Sequence, residues 1–443
     1  MKHFDAAVLG GGPAGITAAV LLSRGGLKTC IVETSLERIG GTCVNEGCMP
    51  TKSFIRAAEA CEQIRSCGEF GVYSGGLRVD FPEMNRVVKA NIDLLSAGST
   101  RQIEKSDAEF IQGLASFKDE RTITVKGHED TEFTADRIVI CTGARAVELP
   151  SIPFNGKEVV NSTDMLYNDS LPEELVIVGG GAIGCEFANM YCAFGSNVRI
   201  VEMADQLLPG EDKEAADILA DVFKGRRVRI HTETKITSSR INDGRVTLET
   251  DRGTHYSADK VLVAAGRRPD LDALNLEAAG IDSEKGFISV NEKFQTSKPH
   301  IYAAGDVIGR NMLAHAAEYE AMVLAKGILG KDIEMDWDKP VPRAVFTTPQ
   351  VASVGDLSKA SEVKEFRFAH NGKAIVTHAR EGFVKIGIDG DGIVKSGVII
   401  GRYAAEMIHE ITLAIDKGLH VKDVALTIHV HPTFSEAVNG AAR

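Results

Sequence analysis

The run Ala6-Ala7-Val8-Leu9-Gly10-Gly11-Gly12-Pro13-Ala14-Gly15 returns, with its parts in the same order, as Leu175-Val176-Ile177-Val178-Gly179-Gly180-Gly181-Ala182-Ile183-Gly184. In each copy an apolar run of strand length meets a G-x-G-x-x-G turn, and a helical pattern follows. That pattern carries Ile16, Ala19, Val20 and Leu22 in the first copy and reaches about Phe194 in the second. A further apolar run closes each copy, Cys30-Ile31-Val32-Glu33 and Val198-Arg199-Ile200-Val201-Glu202, with the acidic residue 18 positions after the last glycine both times. One such motif is weak evidence. Two copies with one spacing predict two βαβ units that bind dinucleotides. The first glycine permits the tight turn, the second lets a pyrophosphate approach the backbone, and the third lets helix and strand pack closely, with the phosphates on the helix N-terminus. Glu33 and Glu202 are each expected to accept hydrogen bonds from a ribose diol. Glu202 favours NAD over NADP, because a carboxylate repels a 2′-phosphate and no basic residue follows before Lys213.

Outward from the repeat, Arg137-Ile138-Val139-Ile140-Cys141-Thr142-Gly143 and Ile301-Tyr302-Ala303-Ala304-Gly305-Asp306 are strand ends that carry glycine, and Val261 to Gly266 closes the second nucleotide unit. The first nucleotide domain is therefore expected to be split: residues 1–147 and 268–336, interrupted by a second domain over 148–267. From Trp337 to residue 443 the pattern turns to β-rich alternation and then an amphipathic helix with Met407, Ile408, Ile411 and Ile415 at helical spacing, a core or subunit face.

Composition agrees with a multidomain globular protein. The 443 residues exceed one hydrophobic core, and 44% hydrophobic with 25% charged residues excludes collagen, coiled coil and wholesale disorder. A net charge of −12, without blocks of like charge, argues against nucleic acid or an anionic membrane as the main partner. The uncharged stretch Ala6–Leu22 holds Pro13 and three consecutive glycines and is too short to span a bilayer, so a cytoplasmic soluble protein is expected. Eight cysteines are too few for a disulfide scaffold, so a close pair points to catalysis or metal.

The close pair lies in Gly40-Gly41-Thr42-Cys43-Val44-Asn45-Glu46-Gly47-Cys48-Met49-Pro50-Thr51-Lys52, just before a helical pattern over Phe54 to Ile64. A helix N-terminus lowers a thiol pKa, and two thiols within bridging distance make a redox couple. Half of a zinc site is the alternative, although no CxxC or histidine lies nearby. Cys30, Cys61, Cys67, Cys141, Cys185 and Cys192 read as small core residues. Near the end, Ile428-His429-Val430-His431-Pro432-Thr433-Phe434-Ser435-Glu436 sets two histidines beside a carboxylate. This suits a general base with an orienting partner, while His-x-His also suits a metal.

Together the GGTCVNEGCMPTK segment, both glycine motifs, the AGD segment and HPTFSE resemble the FAD-dependent pyridine nucleotide–disulfide oxidoreductases over nearly the whole chain. The resemblance is strongest to the branch that oxidises dihydrolipoamide. It implies an α/β fold with two Rossmann-like dinucleotide-binding domains, the FAD domain split by the NAD domain, and a C-terminal α+β dimerisation domain. FAD would be held by Gly10, Gly12, Gly15, Glu33, Gly41 and Thr42, with Lys52, Ala115, Thr142, Gly143, Asp306 and Ala314 completing its site. NAD would be held by Gly179, Gly181, Gly184 and Glu202, with Gly266 at the edge. Cys43 is similar to the interchange thiol and Cys48 to the thiol against the flavin, with Lys52 beside the ring and paired with Glu186. His431 resembles the catalytic base and Glu436 its orienting carboxylate, both donated by the other subunit of a homodimer that serves lipoamide or a lipoyl domain. No resident metal is implied. Two features depart from the family pattern: Glu46 replaces an apolar residue between the cysteines, and the Asp356–Phe366 segment is short. Rival readings are an NADPH-dependent glutathione-type or metal-ion reductase, opposed by Glu202 and by the lack of a terminal cysteine pair, and a non-catalytic flavoprotein subunit, opposed by the intact Cys43, Cys48, His431 and Glu436.

Overall fold

A computed structural model describes residues 1–128 and 130–443. The chain divides into two compact units: Met1–Ser53, Glu83–Val147 and Gly266–Trp337 form one, and Phe54–Pro82, Glu148–Ala265 and Asp338–Arg443 the other.

The first unit is built on a seven-stranded sheet. Strands Glu109–Gln112, Thr29–Glu33, Lys2–Leu9 and Thr131–Ile140 run parallel in that order, and Ile301–Ala303 pairs parallel to Thr131–Ile140. Thr122–Lys126 and Leu114–Phe117 continue the sheet antiparallel. The two central parallel strands end in unbroken apolar runs, Ala6–Leu9 and Ile138–Ile140, because both faces are covered there. Along Lys2–Leu9 exposure at the start gives way to full burial at Ala6–Leu9. The register sets Leu9 beside Val32 and Ile140, and Ala303 beside Ile140, so four strand ends reach one edge. Helix Pro13–Arg24 starts with proline in its first turn, where no amide hydrogen is needed. It buries the small residues Ala14, Gly15, Ala18 and Ala19, which lets it lie close to the sheet and to helix Ala314–Ile328.

The second unit begins on a five-stranded parallel sheet in the order Arg229–His231, Asn197–Val201, Glu174–Val178, Lys260–Val263, Val159–Val160. Helix Ala182–Phe194 follows the second glycine turn and ends at Gly195, whose φ of 116° suits the glycine that closes a helix. A three-stranded antiparallel sheet, Ile236–Asn242, Arg245–Thr250 and His255–Ala258, joins it. The remainder is a five-stranded antiparallel sheet, Arg343–Val345, Gln350–Val354, Val394–Gly401, Phe383–Ile388, Glu362–Arg367. It is covered by helix Ala404–Asp416, which buries Met407, Ile408 and Ile411 as the helical spacing predicts, with Ile415 partly buried against the same core. Lys385 crosses from this sheet to Asp212 at 3.1 Å and Glu214 at 2.9 Å. Among the described residues no helix is long and apolar enough to cross a membrane.

Candidate active site

Both glycine turns solve one packing problem with one geometry. Gly10 (φ 107°) and Gly179 (φ 111°) occupy the left-handed region, and a Cβ on either would stand 2.4 Å from a carbonyl oxygen of the neighbouring strand end, that of Cys141 or Ala264. A Cβ on Gly15 or Gly184 would lie 1.9 Å from the carbonyl of Gly10 or Gly179, so helix and turn touch through backbone. Gly12 and Gly181 instead face open space. They cap their helices with no side-chain hydrogen bond, and neither first turn holds an acidic residue. Unclaimed amide hydrogens at the positive end of a helix, with room left by a missing Cβ, fit the pyrophosphate of a dinucleotide.

The acidic residue that closes each repeat has a use in the protein itself. Glu33 accepts from the Gly11 amide at 2.9 Å through Oε2 and from Thr34 through Oε1. Glu202 accepts from the Gly180 amide at 2.6 Å through Oε2 and from the Ala204 amide at 2.7 Å through Oε1. Each carboxylate thus braces the middle of its glycine turn and stands at the strand end where a ribose would lie. Around the first turn, Gly41 backs onto Gly12, Gly143 (φ 70°) faces open space after strand Thr131–Ile140, and Asp306 opens a short turn behind Gly305. Ala314 begins the helix Ala314–Ile328, which has no side-chain cap, and Ala115 sits half-buried on strand Leu114–Phe117. Gly266 (φ 112°) follows the strand end Lys260–Val263 and also faces open space.

Cys43 lies inside the short helix Gly41–Asn45, and Cys48 opens helix Cys48–Ser66. That helix begins six residues before the Phe54 start read from periodicity. Its first turn, Cys48-Met49-Pro50-Thr51, carries a proline rather than the start of an apolar stripe, and proline is tolerated only there. The early start puts Cys48 on the positive end of the helix, and Lys52 one turn along it. All eight cysteines are thiols. The hydrogen bond to Cys48, then burial, holds the Cys43 thiol far above its ordinary value, with Lys52 opposing. Cys43 therefore keeps its proton, and of the two sulfurs Cys48, on the helix end, is the one placed to carry charge. Burial pushes the Cys141 thiol up to about 12 and raises Cys30 and Cys185 as well, consistent with inert core residues. Cys67 departs from that reading: it is only partly buried, in a 3-10 turn, and donates to the Ile64 carbonyl.

Glu46 also has a definite partner, and not the Lys52 or Arg56 that proximity in sequence offers. Arg38 pairs with it at 2.5 Å, while Arg56 pairs with Glu59 at 3.8 Å. Sequence reading missed Arg267, directly after Gly266. It donates to the Ala144 carbonyl and, at 3.4 Å, to the Thr42 hydroxyl. Burial depresses its pKa, while the charges of Asp306, Glu46 and Cys48 favour its cation. Glu320 was missed too, although a carboxylate among Ala316, Ala317, Ala321 and Leu324 on one helix face is a visible anomaly. It accepts from the Gly305 amide at 2.8 Å, and burial raises its pKa to about 7.

In the second unit the two histidines separate. His429 is nearly covered, with Nε2 at 3.1 Å from both oxygens of Glu410. His431 is 77% exposed, with Nδ1 at 2.9 Å from Glu436 Oε1. Glu436 also accepts from the Thr433 amide, and that bond, with His431, holds its carboxyl below the usual range. Because the carboxylate can only accept, Nδ1 carries the proton and Nε2 remains basic. Glu186, on helix Ala182–Phe194, is buried and accepts from the Phe346 amide at 2.9 Å. The one metal-ligand grouping among the described residues is His3, Asp5 and Asp136, and it includes neither His429 nor His431.

A paired dinucleotide fold with a dithiol on a helix end defines a class, and comparison with known proteins agrees. The sequence pattern of the pyridine nucleotide-disulphide oxidoreductases matches residues 4–321, and that of their dimerisation domain matches 341–442. The chain belongs to that family. It is a flavoprotein disulfide oxidoreductase and uses FAD and NAD. Among its relatives, dihydrolipoyl dehydrogenase of Bacillus subtilis is 36% identical, covering 98% of this chain and 97% of the relative. Dihydrolipoyl dehydrogenase of Haemophilus influenzae is also 36% identical, over 98% and 93%. Similar solved structures include LpdA of Mycobacterium tuberculosis, at 28% identity and TM-score 0.91 over 100% and 99%. The HOCl-induced flavoprotein disulfide reductase RclA of Escherichia coli is 28% identical, with TM-score 0.89 over 99% of each chain.

Proposed function

We propose that the protein oxidises dihydrolipoamide, free or on a lipoyl domain, and passes the two electrons to NAD through a Cys43–Cys48 couple. It does so as a cytoplasmic homodimer in which His431 and Glu436 serve the cysteines of the other subunit. The single observation that carries the reading is the thiol pair at a helix end, Cys43 inside helix Gly41–Asn45 and Cys48 opening helix Cys48–Ser66.

The chain's own groups account for the thiol chemistry. With the couple as a disulfide, His431 Nε2 takes a proton from one substrate thiol. The thiolate attacks Cys43 Sγ, and the Cys43–Cys48 bond breaks with its electron pair leaving on Cys48. The second substrate thiol then attacks the substrate sulfur of the mixed disulfide. Cys43 leaves as a thiol, the substrate departs as its internal disulfide, and two electrons remain in the enzyme dithiol. The helix end, Lys52 and Arg267 stabilise the thiolate. Bound FAD supplies the relay of those two electrons to nicotinamide, and the glycine turns hold both dinucleotides in place.

Exposure supports the dimer. Leu426, Ile428 and Val430, beside the exposed His431, stand 81%, 97% and 76% in solvent, an apolar strip suited to cover by a second copy. The test is turnover by purified holoenzyme. Dihydrolipoamide with NAD should give the highest kcat/KM; higher values for NADPH with glutathione disulfide would overturn the assignment.

A further inference from the structure

The residue between the cysteines is charged, and the structure gives that charge a specific counterpart. Glu46 follows the last turn of helix Gly41–Asn45, its amide donating to the Thr42 carbonyl at 2.9 Å. A carboxylate there stands at the negative end of the helix and two residues before Cys48 in the sequence, so it is unfavourable beside a thiolate on that sulfur. Arg38 Nη1 meets Glu46 Oε1 at 2.5 Å, and the carboxylate is largely covered. The preceding residue reaches the same turn: Asn45 Nδ2 donates to the carbonyls of Arg38 at 3.1 Å and Ile39 at 3.4 Å, and to Gly41 at 3.1 Å. Two successive side chains thus fasten the Cys43 helix to the turn Leu36–Arg38.

We propose that Arg38 is a positioning residue for the redox couple: by pairing with Glu46 it cancels the carboxylate's repulsion of the Cys48 thiolate and anchors the helix that carries Cys43. The inference rests on reading Cys43 and Cys48 as that couple. Other charges face the same sulfurs: Lys52 and Glu318 act on Cys43, and Arg267 acts on Cys48 and Glu46. His431 of a second copy joins them in the proposed dimer. Against this fixed background the Arg38–Glu46 pair is neutral as a whole, so removing either member shifts the thiols in opposite directions.

The test is the pH profile of iodoacetamide alkylation of Cys43 and Cys48 in reduced holoenzyme, read by mass spectrometry of the peptide. Arg38→Gln should move the midpoint up and Glu46→Gln should move it down, each by about half a pH unit for a charge roughly 7 Å away at an effective dielectric of about 60. The double variant should return close to wild type, and Arg38→Lys, which keeps the charge, should stay there. Single variants that shift in the same direction, or not at all, would overturn the proposal. If Arg38→Gln does not fold, Glu46→Gln against the double variant makes the same comparison. Wild-type enzyme that turns over no dihydrolipoamide would remove the proposed substrate while leaving the alkylation comparison intact.

Discussion

Glu202 accepts two backbone amides, so its carboxylate is fixed where the adenosine ribose is expected. Fixing a negative charge there disfavours a 2′-phosphate more strongly than a mobile side chain would. Steady-state kinetics should therefore show NAD(H) preferred, with Glu202→Ala narrowing the gap; equal kcat/KM for both cofactors in the wild type would contradict this. Glu320 makes a second prediction at the same scale. Its pKa is raised from 4.5 to about 7 by burial. Between those values the unfolded chain has released the proton and the folded chain retains it, so stability falls as pH rises through that window. Above pH 7 the loss is complete, at roughly 3 kcal/mol. Below pH 4.5 it vanishes. Glu320→Gln can still accept from Gly305 and carries no charge. Its melting temperature should exceed that of wild type at pH 8, with the difference shrinking towards pH 5. A pH-independent difference would assign the effect to packing instead.

At the scale of the element, the strand–turn–helix is the unit that the chain uses twice. The clash expected at Gly184 is with backbone, 1.9 Å from the Gly179 carbonyl, and cannot be relieved by a side-chain rotation. Gly184→Ala should push the helix off the turn, raising KM for NAD by about tenfold or more while FAD content stays at wild-type level. An unchanged KM would show that the turn tolerates displacement. The same steric demand explains why this element was legible beforehand: only glycine fits at Gly10, Gly15, Gly179 and Gly184, so geometry is written directly into residue type. The cysteine pair was legible because thiol chemistry also demands a residue type. Helix Cys48–Ser66 was less so, because its first turn carries Pro50 and no helical apolar spacing, and periodicity begins only where the apolar face does. Arg38 was missed as the partner of Glu46 because they meet across a turn rather than at helical spacing. Arg267 was missed because its neighbours Thr42 and Ala144 lie far away in sequence, where only the folded backbone brings them together.

At the scale of the whole molecule, the base and the thiols it serves are proposed to come from different copies. Refolded or co-expressed mixtures of Cys43→Ser and His431→Gln chains, each inactive as a homodimer, should then regain activity. A mixed dimer combines an intact Cys43 with an intact His431 at one of its two sites, and about half of wild-type turnover per mixed dimer is expected. No recovery would mean that both groups act within one chain. The proposed reaction rests two electrons in a Cys43–Cys48 dithiol whose charge lies on Cys48, against FAD. Anaerobic reduction of the holoenzyme with one equivalent of dihydrolipoamide, followed by absorbance, tests it most directly. The wild type should develop a long-wavelength charge-transfer band that Cys48→Ser lacks; the same band persisting in Cys48→Ser would contradict the account.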